Sequence, residues 1–436
     1  MRRRTAVSAV VAGAVLLLLS IAGFYAVSVD RQTVVAQTQD VPAPADPLVT
    51  AIAAAQQRLT EVPGDWVTWA QLGSAYVEQA RITADPSFYD KADGALAKSL
   101  ELRPEGNDAA LTGKGALANA RHDFAAARDA AEAALAIDDY DATAWGVLTD
   151  ARTQLGDHVG ATEALQRMLA LRPGIASFTR ASYDAELHGD LDAARSALQQ
   201  ALDSTQDRSS AAYCRTYLGA LAFSHGDLDG AAASYDAGLA DDPDEPALLL
   251  GRARVDAARG DVDRAVAGFA AVVAARPLPE NLVEYGEYLE SLGRQDEADE
   301  QYRLVGTVRT LFAASGVQDD LSTALFAADH DDPATALAAA QAEYDRRQNT
   351  DAQDALAWAL HSAGRDDEAL PLAQQATSLG GASAVAQYHR GAIEAALGRT
   401  DDARATLAGA LDTNPHFSPL LAPRAAQLLE SLGGRP

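Results

Sequence analysis

At 436 residues, with 48% hydrophobic but only 6% aromatic side chains, the chain can bury a large apolar area without bulky groups. Much of that total is alanine, which favours closely packed helices over sheets. The net charge of -27 argues against nucleic acid as a partner, because such affinity comes largely from basic groups releasing counterions. The single cysteine, Cys214, excludes an intramolecular disulfide and a Cys-based zinc site.

The chain opens with Arg2, Arg3 and Arg4, followed by an uncharged run from Thr5 to Val29 that Asp30 ends. A helix of that length spans roughly 37 Å, more than a hydrocarbon core of ~30 Å. The pattern predicts a cytoplasmic N-terminus at residues 1–4 and a transmembrane anchor at 5–29, oriented by its arginines. A cleaved signal peptide, ending near Ala26-Val27-Ser28, is the alternative; the apolar core of such a signal is usually about 7–15 residues. Either way the remainder lies outside the cytoplasm, and the anchor reading makes the protein single-pass in the cytoplasmic membrane. Residues 30–47, with Pro42, Pro44 and Pro47, read as an extended linker reaching on the order of 50 Å.

Beyond the linker the sequence repeats. In most units a Gly is followed five positions on by an Ala, and the alanines at this place in the repeat are Ala92, Ala127, Ala161, Ala194, Ala231, Ala265, Ala298, Ala336, Ala369 and Ala403. Their spacing stays near 34 residues, the length of a tetratricopeptide repeat. Around them stand Trp69, Leu72, Gly73 and Tyr76 in the first unit, Trp145 and Leu148 in the third, and Pro104, Pro173, Pro243 and Pro415 at unit ends. The Gly can take the positive φ that ends a first helix. Asp157 or Asp227 after it can cap the second, and the Pro stops that helix. The fold predicted is an all-α solenoid of about ten helix-turn-helix repeats over 65–415. A half-repeat cap at 48–64 precedes it, and a C-terminal capping helix within 416–436 closes it.

The phrases SYDAELHGDLDAA, LFAADHDDPATAL, DALAWALHSAGRDDEAL and NPHFSPLLAPRAA resemble a family of bacterial extracytoplasmic tetratricopeptide repeat proteins over most of the chain from Pro47 to Leu429. That resemblance implies an interaction role and names no partner. The leading expectation is therefore a non-catalytic scaffold or assembly factor for an envelope or membrane complex. The alternative resembles the tetratricopeptide subunits of cytochrome c maturation, which hold an exported apoprotein.

No enzyme signature competes with this reading. Gly113-Lys114 lacks the leading Gly of a phosphate loop, and Asp227-x-Asp229-Gly230 lacks the distal Glu of a calcium loop. His122, His158, His188, His225 and His330 fall in or beside the turns inside repeats, along one edge at roughly the 10 Å spacing of neighbouring helices, too far apart to share a metal. No cofactor is implied. On the first helix of each repeat, position 5 reads Ala70, Thr112, Gly146, Thr179, Thr216, Leu250, Val283, Leu321, Asp354 and Tyr388. None is basic, so a clamp for a free carboxylate is absent. The candidate partner groove is Thr179, Tyr183, Tyr213, Thr216, Phe223, Leu250, Arg254 and Glu287, flanked by Glu280 and Glu290 and by Asp354, Trp358 and His361. The same aromatics equally suit packing between neighbouring helices.

Overall fold

The computed structural model describes residues 47–381 and 383–436, and among them it contains 22 helices and no strand. The anchor expected at 5–29 and nearly all of the linker lie outside the described residues. No helix among the described residues is long and apolar enough to cross a membrane.

A single helix, α1 (Pro47–Glu61), precedes ten antiparallel pairs. The first three pairs are α2 (Trp66–Thr83) with α3 (Ser87–Leu102), α4 (Asp108–Ala120) with α5 (Phe124–Leu135), and α6 (Ala142–Leu155) with α7 (His158–Leu171). Next come α8 (Ile175–Leu187) with α9 (Leu191–Asp203), α10 (Arg208–Ser224) with α11 (Leu228–Asp241), and α12 (Pro246–Ala258) with α13 (Val262–Ala275). Then follow α14 (Pro279–Ser291) with α15 (Gln295–Ala314) and α16 (Asp320–Asp329) with α17 (Pro333–Arg346). The pairs α18 (Thr350–Ser362) with α19 (Asp366–Ala376) and α20 (Ala384–Ala396) with α21 (Thr400–Thr413) end the repeats, and α22 (Leu421–Ser431) caps them.

All ten marker alanines sit on second helices, and none is more than 2% exposed. Each lets its helix close on the first helix of the same pair. The fit between repeats is equally specific. Tyr235 on α11 is 1% exposed, and its ring lies where a Cβ on either Gly219 of α10 or Gly251 of α12 would stand. Two glycines on flanking helices thus make the slot for one aromatic ring. The aspartates act as expected from their place after the turn. Asp157 accepts from the Gly160 amide at 3.0 Å and Asp227 from Gly230 at 2.9 Å, caps worth about 1 kcal/mol each. Asp332 does the same before Pro333, accepting from Thr335 at 3.2 Å. Trp69 and Trp145 donate their indole N–H to the Pro63 and Asp139 carbonyls at 3.0 and 2.9 Å, tying a first helix to the loop that leads into it.

Three helices exceed the common length: α2 runs for 18 residues, α10 for 17 and α15 for 20. The end of α15 carries Phe312, and Val317 follows; both pack on the core of the first repeat, with Leu72, Tyr76 and Leu96.

That contact begins a seam. The turn of repeat two meets the loop after repeat seven: the Gln318 amide donates to the Arg121 carbonyl at 3.1 Å, and Arg121 Nε to the Ser315 carbonyl at 2.9 Å. Repeat three meets the loop after repeat eight, where Gln154 takes the Arg347 guanidinium and lies 3.4 Å from Asn349 Nδ2. Repeat four meets the loop after repeat nine through the Gly381 amide and the Leu187 carbonyl, 3.1 Å apart. Repeat five meets the loop after repeat ten, with Asn414 Nδ2 donating to the Phe223 carbonyl at 2.9 Å. The offset is five repeats each time. The solenoid therefore winds into a coil whose successive turns touch, and its wall is closed along this seam.

Candidate functional site

First helices of neighbouring repeats pack on one another at every step but that from α12 to α14, whereas no second helix packs closely on the next second helix among the described residues. The first helices therefore line the concave side of the coil. On that side α8 carries Tyr183, 43% exposed, and α10 carries Tyr213 and Tyr217, 38% and 43% exposed. The rings of Tyr213 and Tyr217 meet edge to face at 4.9 Å, with their hydroxyls 3.3 Å apart. Burial raises the Tyr213 phenol far above its ordinary value; Tyr217 adds to the shift, and Arg81 of α2 and Arg180 of α8 oppose it. Burial likewise pushes Tyr183 up to about 12, with Asp351 and Glu186 adding to it. Arg81 reaches this group from four repeats away, so the inner face encloses the tyrosines on more than one side. Both arginines are already paired, Arg81 with Glu78 at 2.6 Å and Arg180 with Asp150 at 2.6 Å.

The other predicted groove residues divide by what they touch. Thr179 and Thr216 turn their hydroxyls back to the Ile175 and Ala212 carbonyls of their own helices, at 2.9 and 3.1 Å. Phe223 and Leu250 pack, partly buried, against the cores of their repeats. Arg254 makes a two-pronged pair with Glu284, at 2.5 and 2.6 Å, that bridges α12 and α14. Glu287 is half-buried and makes no hydrogen bond among the described residues; burial pushes its carboxyl up to about 8, helped by Asp329, Glu284 and Glu290 and opposed by Arg424. Asp354 and Trp358 are buried rather than presented. Tyr217, Asp329 and Arg424 are inner-face groups the sequence reading passed over. Of these, Tyr217 carried a usable signal, since it stands one helical turn beyond Tyr213.

The histidines do not line a free edge. His122 Nδ1 lies 2.7 Å from the Gln318 carbonyl, so it is part of the seam. The rings of His158 and His188 are 6.4 Å apart, closer than the expected spacing, because one begins a second helix and the other ends the next first helix. No group of three or more His, Cys, Asp or Glu side chains among the described residues is arranged to hold a metal ion. Cys214 is buried in the middle of α10.

Family models for the tetratricopeptide repeat match residues 181–246 and 222–282, spans that coincide with repeats built from α8 to α14. Residues 181–282 match the tetratricopeptide repeat family. A tetratricopeptide repeat protein from Parabacteroides merdae is 17% identical, over 60% of this chain and 99% of that one, with a TM-score of 0.35. PilW, a type IV pilus biogenesis factor, is 18% identical, over 44% and 90%, with a TM-score of 0.38. The Cut9–Hcn1 hetero-tetramer of the APC/C matches at 13% identity over 88% and 93%, with a TM-score of 0.39. No curated protein matches the sequence. Tetratricopeptide repeat solenoids generally act as scaffolds that bind other proteins without catalysis, and protein partners follow for this one.

Proposed function

We propose that this tetratricopeptide repeat protein is a scaffold or assembly factor displayed outside the cytoplasmic membrane, holding segments of partner proteins against the inner face of its coil. The observation that carries the reading is the group of three exposed tyrosines, Tyr183, Tyr213 and Tyr217, on the concave side. Aromatic side chains held on rigid helices give large contact area at low entropic cost, and truncating such an anchor typically costs about 2 kcal/mol or more of binding. Display outside the membrane is supported by the three N-terminal arginines and the uncharged run after them. In-cell crosslinking followed by mass spectrometry, with the full chain and with a Tyr183→Ala, Tyr213→Ala variant, tests it. The variant should lose the crosslinked partner while its helical circular dichroism is unchanged. Retained crosslinking by a folded double variant sinks the inner-face reading.

A further inference from the structure

Around the Tyr213–Tyr217 pair, the polar groups on offer are of one kind. The Tyr213 hydroxyl donates to the Tyr217 oxygen at 3.3 Å, which leaves the Tyr217 proton with no acceptor among the described residues. The cations that act on the Tyr213 phenol are Arg81 and Arg180, and arginine only donates. Their carboxylate partners are taken. Glu78 holds Arg81 through Nε and Nη2 at 2.9 and 2.6 Å, and Asp150 holds Arg180 through the same two nitrogens at 2.7 and 2.6 Å. The face thus offers aromatic surface and donors, and few acceptors.

Charge narrows the occupant further. Arginines stand at Tyr213, whereas Asp351 and Glu186 act on Tyr183, one repeat away on α8. A basic run is repelled at the first and an acidic run at the second, so an uncharged segment fits the whole row. Spacing points the same way. Neighbouring first helices lie roughly 10 Å apart, and a polyproline helix returns to the same face every three residues, roughly 9 Å on. Such a segment laid across α8 and α10 brings successive prolines onto successive tyrosines. An α-helix has few free carbonyls to offer, because its own amides take them. An ordinary extended strand brings N–H groups that find few acceptors here.

We infer that the inner face at α8 and α10 binds an uncharged, proline-rich segment of a partner protein in the polyproline conformation. Its rings stack on Tyr183, Tyr213 and Tyr217, and its carbonyls accept from the Tyr217 hydroxyl and the Arg81 guanidinium. This rests on the inner-face reading above and adds the chemistry of the partner. All three tyrosines are open to such a segment, at 38 to 43% exposed. Proline suits the donor-rich face because it brings a carbonyl and no N–H. The segment is also extended before it binds, so little conformational entropy is lost on docking.

Calorimetric titration of the full chain in mild detergent tests this. The probe is a short proline oligomer, with Gly-Ser, Lys-Pro and Glu-Pro peptides of the same length as comparisons. The proline oligomer should bind, and more tightly than the other three. Tyr217→Phe keeps the ring and removes the donor, and should weaken binding about fivefold. Tyr217→Ala removes both and should weaken it about 30-fold, with helical circular dichroism unchanged because the ring is exposed. Gly-Ser binding as tight as that of proline, or proline binding indifferent to Tyr217→Ala, overturns the inference. So does a Lys-Pro or Glu-Pro peptide that binds as tightly as the uncharged one. Tighter binding after Pro42→Ala with Pro44→Ala overturns the choice of a partner protein and assigns the site to the chain's own linker. Absent proline binding, in a chain whose Tyr183→Ala, Tyr213→Ala variant still loses its crosslinked partner, removes the proline chemistry and leaves the inner face as a binding surface.

Discussion

A methyl group on Gly381 tests whether the seam is structural. Gly381 does not have a positive φ, so alanine suits its backbone; the obstacle is space. A Cβ there would overlap the Glu186 carbonyl oxygen on α8, which is backbone and cannot rotate aside. Restoring ordinary contact parts the two segments by on the order of 1.5 Å, which takes the Gly381–Leu187 hydrogen bond out of range. The bond measures 3.1 Å in the intact seam. Overpacking and an unanswered amide each cost about 1–3 kcal/mol, and relief by opening the seam keeps the total near the lower figure for one of them. Gly381→Ala should therefore raise amide exchange at residues 187–190 and 380–381 about 5-fold, while the helices on either side exchange as before. Gly94→Ala is the control: it lies within α3 with nothing near its missing Cβ, and should stabilise the chain by about 0.5–1 kcal/mol. Unchanged exchange at both segments in Gly381→Ala would refute the seam as a closed contact.

Three further outcomes follow from features already described. Ala265, wholly buried on α13, should not accept Trp: Ala265→Trp costs at least ~1–3 kcal/mol, and hydrogen exchange should show the loosening in repeats five to seven first. Between the ordinary carboxyl value of 4.5 and about 8, Glu287 binds a proton in the folded chain but not in the unfolded one. Stability therefore falls as pH rises through that window, and Glu287→Gln should shrink the difference between melts at its two ends; an equal difference in both proteins contradicts the assignment. Intact mass of the membrane-extracted protein should show a chain that keeps its N-terminal arginines, and a mature terminus near Val29 would instead identify a cleaved signal.

The repeat itself was legible because each unit is specified locally. An alanine that must be buried, a Gly that must take a positive φ and an Asp that must cap a helix all carry their reason within a few residues. Where the turn lacks glycine, His122 and Asp331 adopt φ of 61° and 58°, the kind of substitution a local pattern tolerates. The groove was only half legible. Position along a first helix separates the inner side from the outer, but does not tell a Tyr that faces the lumen from a Trp that a neighbouring helix covers. Tyr183 and Trp358 hold the same position in their repeats; the first is exposed and the second is buried. That depends on Asp329 and His389, which take up the Trp358 indole by hydrogen bond and by stacking. The seam left no readable mark, because its partners stand almost two hundred residues apart and most of its bonds use main-chain atoms.

An ordinary solenoid is close to a one-dimensional chain of neighbours, in which a unit added or lost changes length and little else. The five-repeat offset removes that freedom. Deleting the pair α12–α13 would leave every remaining neighbour contact possible, yet shift Arg121, Gln154, Leu187 and Phe223 one unit out of phase with the loops they now meet. Duplicating a pair between the two halves of the seam would do the same in the other direction. The number of repeats is thus tied to the winding of the coil, and this protein cannot grow or shrink by the unit from which it is built.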